Sequence, residues 1–267
     1  MEGYTTFHQG PLPQSHARRV EVLERLLNHL QRTYGGQILA AALYGSMARG
    51  EDGDFSDIEM FCVLDIPEYD RDYEWVYGAG KAEINVLGLE TARRAAREVD
   101  EYWAISQGRF VNARWLMGDS AILEDLRKQV CLISPEEIRG VLGRVLVEEL
   151  YEWLGKARNV RASFQAETSK WNLRCGLPCL AVKYTEMCAL MIGMVNRHLY
   201  QTGMTMLEES LGLADQPAGY ARLCRLVMAG ELSNSHQIIQ AVEDTWSGML
   251  KWAVEKGVDI RFTDFRA

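Results

Sequence analysis

The stretch Tyr44-Gly45-Ser46-Met47-Ala48-Arg49-Gly50, followed five residues later by Ser56-Asp57-Ile58-Glu59, decides how the rest of the chain is read. The residues leading into it, Ile38 to Tyr44, are apolar throughout and few, as expected of a central strand buried on both faces. Gly45-Ser46 then opens a short helix whose free backbone N–H groups and positive dipole end can receive a phosphate. Gly45 lets backbone approach closely, Ser46 adds a hydroxyl donor and Arg49 a fixed positive charge. Asp57 and Glu59 are two residues apart on the next strand and share a face, about 6.6 Å apart at about 3.3 Å per residue. Two carboxylates so placed can share Mg²⁺ ions and present them to a triphosphate. A solvated turn running into an edge strand would show the same Gly-Ser and acidic loop. Charges set among Ile58, Met60, Phe61, Cys62 and Val63, however, need a reason to be there.

Working outward, Val20, Leu23, Leu27, Leu30 and Tyr34 recur at helical spacing and Gly35-Gly36 ends the helix. Asp57 to Leu64 alternates polar and apolar residues at first, and Ala82 to Leu87 does the same, so both read as further strands; Glu83 shares a face with Asn85 and Leu87. Ser134-Pro135-Glu136-Glu137 combines a capping hydroxyl, a proline at the first helical position and a glutamate three residues after the cap. The domain boundary is placed there. Residues 134–267 are helix-patterned, with breaks at Gly176 to Pro178, Gly212 to Gly219 and Gly230 to Asn234 and a stop at Gly257. The expected fold class is α+β: a mixed-sheet domain over 1–133 and an α-helical bundle domain over 134–267. On the helix after Pro135, Leu142, Leu146, Leu150, Trp153 and Ala157 form the apolar stripe. Glu148, Glu152 and Lys156 lie opposite; spacing alone makes this a solvated face with a Glu152–Lys156 i,i+4 pair.

The 267 residues carry 29 Lys plus Arg against 37 Asp plus Glu, a formal charge of −8. That balance argues against a general nucleic-acid binder, which needs a basic surface, and favours cationic partners such as metal ions, polyamines or amine-bearing small molecules. The apolar runs Ile38 to Tyr44 and Cys188 to Val195 fall short of the roughly 20 residues needed to cross a bilayer, and no secretory signal is visible. Six scattered cysteines, at 62, 131, 175, 179, 188 and 224, read as reduced thiols and point to the cytoplasm. The histidines show no metal-ligand spacing.

The Gly-Ser, Arg-Gly, Ser-Asp-Ile-Glu arrangement resembles the signature of the nucleotidyltransferase superfamily related to DNA polymerase β. The stretches Tyr44 to Cys62, Ala82 to Asn85, Val147 to Arg161 and Gly219 to Trp252 narrow this: over residues 16 to 256 the chain is similar to the aminoglycoside 4′-O-nucleotidyltransferases of the kanamycin nucleotidyltransferase type. The resemblance implies a polymerase β-like nucleotidyltransferase domain, a helical C-terminal domain, and homodimers whose clefts are shared between subunits. It implies transfer of a nucleoside monophosphate from Mg-NTP, ATP foremost, to the 4′-hydroxyl of kanamycin, tobramycin or amikacin, with neither nucleic acid nor membrane as partner. By this carry-over Asp57 and Glu59 hold Mg²⁺, and Glu83 is a third acid for the metal or for the amine substrate. Gly45, Ser46, Arg49, Ser56 and Lys156 meet the nucleotide, and Glu152 is the general base. Glu74, read from the sequence as a loop acid ahead of the third strand, joins Glu83, Glu148 and Glu149 in binding aminoglycoside ammonium groups. Val86-Leu87-Gly88 is less polar than the family's continuation, and the N-terminal dozen residues and the C-terminal tail diverge, so substrate range is open to change. Two other readings are an antitoxin or regulator of the same fold acting through a protein partner, and a tRNA nucleotidyltransferase, which conflicts with the charge.

Overall fold

Helix α1 (His16–Tyr34) starts at Ser15, whose side chain accepts from the backbone N–H of Arg18, and it buries Val22, Leu23, Leu26 and Leu30 on one stripe. In the computed structural model, which describes residues 10–164 and 173–261, that stripe packs on one face of a five-stranded mixed sheet. The strands are β1 (Ile38–Tyr44), β2 (Ile58–Leu64), β3 (Asp70–Val76), β4 (Lys81–Gly88) and β5 (Arg114–Gly118), in the order β3-β4-β2-β1-β5. β2 and β4 pair in parallel and the other neighbours antiparallel. The core between α1 and the sheet is made by Leu43, Met60, Cys62, Ile84 and Val86. Interior position explains the uninterrupted apolar run of β1, whose Ala40 to Leu43 are wholly buried.

The sequence reading omitted β3 and β5. Both are edge strands, and β3, Asp-Arg-Asp-Tyr-Glu-Trp-Val, is exposed along nearly its whole length and so carries no period-two burial signal. Glu74 is therefore a strand residue and not a loop acid. Short helices α2 (Gly45–Arg49), α4 (Trp103–Ser106) and α5 (Gly108–Val111), with α3 (Leu89–Arg97) and α6 (Ser120–Val130), complete the N-terminal half. The chain falls into two compact units, one holding the residues up to Glu98 with Gln107–Leu132, the other Val99–Ser106 with the residues from Ile133 onward.

A buried ion pair ties α1 to the loop between α2 and β2. Arg19, with a side chain only 1% exposed, donates from Nε (2.9 Å) and Nη2 (2.7 Å) to Asp52, itself 4% exposed. Arg19 Nη1 also donates to the Gln14 carbonyl at 3.0 Å, and the Gln14 N–H donates to the Asp54 carbonyl at 2.8 Å. The acidic loop 51–56 is thus anchored at its middle, just ahead of Asp57.

In the second unit, α7 (Pro135–Val145) begins with a complete capping box. The Glu137 N–H donates to Ser134 Oγ at 3.2 Å and the Ser134 N–H to the Glu137 carboxylate at 2.8 Å. The regular helix expected from 135 onward is interrupted by a π turn at Leu146–Leu150, closed by the Tyr151 N–H donating to the Leu146 carbonyl, before α8 (Tyr151–Ser163) resumes. The cause lies in the spacing of the buried residues Leu142, Leu146, Leu150 and Leu154. At about 100° per residue, each four-residue step drifts about 40° around a regular helix, and a wider i→i+5 turn takes that drift back. Helices α9 (Leu177–Val195), α10 (Met206–Leu211), α11 (Tyr220–Met228) and α12 (Ser235–Glu255) follow, with α9 packed against α8, α10, α11 and α12. The helical stretch Arg174–Val195 is long and apolar enough by composition to cross a membrane, which the eight-residue run read from sequence did not suggest; 56% of its apolar window is buried, as in the core helix of a bundle. Of the cysteines, Cys62, Cys188 and Cys224 are buried in the core.

Replacing Arg19 by methionine leaves buried Asp52 with only the half-exposed His16 ring, 2.8 Å away, in place of the guanidinium, and breaking a buried pair costs about 3–5 kcal/mol. Urea unfolding of Arg19→Met is expected to show a loss of that order; a change under about 1 kcal/mol would contradict the clamp.

Candidate active site

Tyr44 ends β1, and Gly45 turns the chain with φ +68°, a conformation that favours glycine. A Cβ on Gly45 would lie 1.8 Å from Glu59 Oε2, so the Glu59 carboxylate rests against bare backbone there. Ser46 follows in the first turn of α2. Arg49 is turned toward Glu51, with Nε 2.8 Å from its carboxylate. The Ser56 hydroxyl accepts from the Gly53 N–H at 3.0 Å and closes the acidic loop.

Strand register assembles the acids. Glu59 stands directly opposite Glu83 in the parallel β2–β4 pair, and Glu83 directly opposite Glu74 in the antiparallel β3–β4 pair. Asp57 precedes β2 by one residue. Neighbouring strands are about 4.8 Å apart, so three carboxylates stand side by side, an arrangement that repels itself. Lys81 relieves one end: its Nζ lies 2.9 Å from Glu74 and 3.8 Å from Glu83. The remaining stress falls on Glu59, whose carboxyl is pushed up to about 7 by burial first and then by the charges of Asp57 and Glu83, against the weaker pull of Arg49 and Lys81. Two residues that the sequence reading did not select join the same face. The Tyr44 hydroxyl donates toward Glu83 Oε1 (2.9 Å) and Asn85 Oδ1 (3.0 Å), and Asn85 Nδ2 donates to Asp72 at 2.7 Å.

The donor set is all oxygen and strongly anionic, which suits a hard cation. Among the described residues no group of three or more Asp, Glu, His or Cys is placed to hold a metal ion. One or two carboxylates, with substrate phosphates and water completing the shell, are what Mg²⁺ usually takes from a protein.

The other residues singled out from the sequence form a separate set on the helical unit. Glu148 is exposed and Glu149 half-buried on the π turn. Glu152 and Lys156 make the expected i,i+4 pair at 2.5 Å, their side chains 61% and 57% exposed. So exposed a pair contributes little to stability and leaves both groups available to a ligand. Next along α8, Arg158 grips Glu243 of α12 with two hydrogen bonds, at 3.0 and 2.8 Å.

The KNTase C-terminal domain family matches residues 120–259. Two proteins named aminoglycoside nucleotidyltransferase (4′), from a Bacillus species and from Staphylococcus aureus, are each 30% identical to this chain over 248 residues, covering 93% of it and 95% of the relative. This chain belongs to the aminoglycoside 4′-nucleotidyltransferase family. Among solved structures, a nucleotidyltransferase-like protein from Exiguobacterium sibiricum 255-15 aligns with a TM-score of 0.50 at 10% identity, over 88% of this chain and 78% of that one, which bears on the fold alone. The α+β fold expected from the sequence is the one observed, and the enzyme class is that of the family. Membership of an aminoglycoside 4′-nucleotidyltransferase family across both halves leaves the antitoxin and tRNA readings without support.

The sequence signal for Asn85 was present, since it alternates with Glu83 on one strand. The signal for Tyr44 was not, because its partnership with Glu83 depends on strand order.

Because Glu59 titrates near 4.5 when unfolded and near 7 when folded, the folded metal-free protein holds the extra proton between those values. Its stability therefore falls as pH rises through that window. Glu59→Gln removes this slope: in EDTA its gain in melting temperature over the parent is expected to be larger at pH 8 than at pH 5, and an equal gain at both would contradict the assignment.

Proposed function

We propose that this chain transfers a nucleoside monophosphate from a magnesium-bound NTP, ATP foremost, to the 4′-hydroxyl of aminoglycosides such as kanamycin, tobramycin and amikacin, releasing pyrophosphate. The observation that carries the reading is the row of carboxylates beside the Gly45-Ser46 turn, in a chain related along its length to aminoglycoside 4′-nucleotidyltransferases. The nucleotidyltransferase domain, 1–133, binds the nucleotide, and the helical domain, 134–267, supplies the base.

Asp57 and Glu59 hold the metal, with Glu83 beside them. When bound, magnesium offsets the negative charge on the attacking and leaving oxygens. The backbone at Gly45, the hydroxyls of Ser46 and Ser56, and the cations Arg49 and Lys156 orient the phosphates, and positioning accounts for much of the catalysis of phosphoryl-type transfer. Glu152 takes the proton of the 4′-hydroxyl as its oxygen bonds to the α-phosphorus, and the bond to pyrophosphate breaks. Lys156 is already paired with Glu152, so it can exchange that carboxylate for phosphate oxygens as substrates arrive. Glu74, Glu83, Glu148 and Glu149 pair with substrate ammonium groups. The net charge of −8 supports a polycationic substrate over a nucleic-acid partner, and the scattered cysteines support a cytoplasmic enzyme.

We read the working form as a homodimer. Supporting this is an apolar groove of about 850 Å³ on the helical unit, where Val147, Tyr151 and Val254 stand exposed. Sedimentation is expected to give twice the 30.3 kDa chain mass; a monomer at micromolar concentration would remove the shared-cleft arrangement.

The activity is tested by incubating the protein with MgATP and kanamycin and looking for pyrophosphate and for kanamycin carrying one added nucleoside monophosphate by mass. Asp57→Asn is expected to leave no detectable product, and Glu152→Gln to lower kcat by about 10² to 10⁴ while retaining nucleotide binding. Product formation by Asp57→Asn at the parent rate would overturn the metal assignment, and an unchanged kcat in Glu152→Gln would overturn that of the base.

A further inference from the structure

We propose that Tyr44 is the positioning residue of this site, fixing the Glu83 carboxylate on the sheet face through its hydroxyl; the inference rests on the reading above in which Glu83 binds the cationic substrate or the metal. Tyr44 is the last residue of β1, two strands away from Glu83 across β2. Its ring is buried and stacked on Phe61, with centroids 6.3 Å apart and planes 29° apart, so the core sets where the hydroxyl sits. From there it reaches Glu83 Oε1 at 2.9 Å. The other donors are farther and engaged elsewhere: the Lys81 ammonium at 3.8 Å, held at 2.9 Å by Glu74, and Asn85 Nδ2 at 3.5 Å, held at 2.7 Å by Asp72.

The same hydroxyl lies 3.0 Å from Asn85 Oδ1. Because Asn85 Nδ2 donates to Asp72 at 2.7 Å, the amide is turned with its oxygen toward Tyr44. A phenol carries one proton and can give it to one acceptor at a time. Tyr44 therefore holds Glu83 when the carboxylate is idle, and can pass its hydrogen bond to Asn85 when a cation takes up the Glu83 oxygen. At no stage is the buried phenol left without an acceptor, so loading the site incurs no penalty for a stranded donor.

The experiment is a double-mutant cycle between Tyr44→Phe and Glu83→Gln. It is read as kcat/KM for kanamycin and, on nucleotide-free protein, as the affinities for kanamycin by calorimetry and for Mn²⁺ by electron paramagnetic resonance. Tyr44→Phe is expected to weaken by about tenfold, the lower end for loss of a supporting partner, whichever ligand Glu83→Gln weakens, and to add nothing in the Glu83→Gln background. Melting within about 5 °C of the parent is part of the expected result, because Glu83 is partly exposed and water can replace the lost donor. Parent-like affinities and kcat/KM in Tyr44→Phe, a full effect persisting in the Glu83→Gln background, or collapse of the fold would each overturn the positioning role while leaving the proposed reaction standing. Glu83→Gln without effect on either ligand or on turnover would remove Glu83 from the site, and Tyr44's role with it.

Discussion

Parallel pairing of β2 with β4 sets Glu59 beside Glu83 with no offset, and antiparallel pairing of β3 with β4 sets Glu74 beside Glu83. Everything on this face of the sheet answers to that constraint. Like charges at adjacent strand positions repel, and a fold keeps them only where hydrogen bonds, a counter-charge or a ligand relieve the cost. Lys81 relieves the Glu74 end, Tyr44 and Asn85 occupy the middle, and Glu59 is left with a carboxyl raised to about 7 by burial and its neighbours. A surface held in that state attracts cations by construction.

The scaffold around the row is rigid where it has to be. α1 covers the opposite face of the sheet and, through Arg19 and Asp52, also pins the loop that delivers Ser56 and Asp57. Gly45 is the counterpart on the other side of the motif, since the space a side chain would fill there is taken by the Glu59 carboxylate. The α2–β2 loop, which by composition alone reads as solvated, is fastened at both ends and in the middle.

The helical unit solves a different problem. Its buried leucines, Leu142, Leu146, Leu150 and Leu154, are spaced by four, and the π turn at Leu146–Leu150 reconciles that spacing with helical geometry. Glu148 and Glu149 lie on that turn, so the segment bearing two of the proposed substrate acids is the one where the helix departs from regularity. π turns interrupt helices at functional positions often enough that the coincidence fits the proposed role.

The sequence by itself determined the elements with strong local signals: α1 and its glycine stop, the buried run of β1, the alternation of β2 and β4, the capping box at Ser134, and the Gly-Ser and Asp-x-Glu motif with its family. Each rests on interactions between residues close along the chain, so spacing was enough to reveal it. Strands β3 and β5 were not legible, because an edge strand exposed to water needs no alternation. The Arg19–Asp52 clamp, the alignment of Glu74 with Glu83 and the hydrogen bond from Tyr44 to Glu83 were decided by the tertiary structure alone. They join residues 33, 9 and 39 positions apart. Such contacts depend on strand order and register, which pairing across the whole sheet sets and no local pattern records.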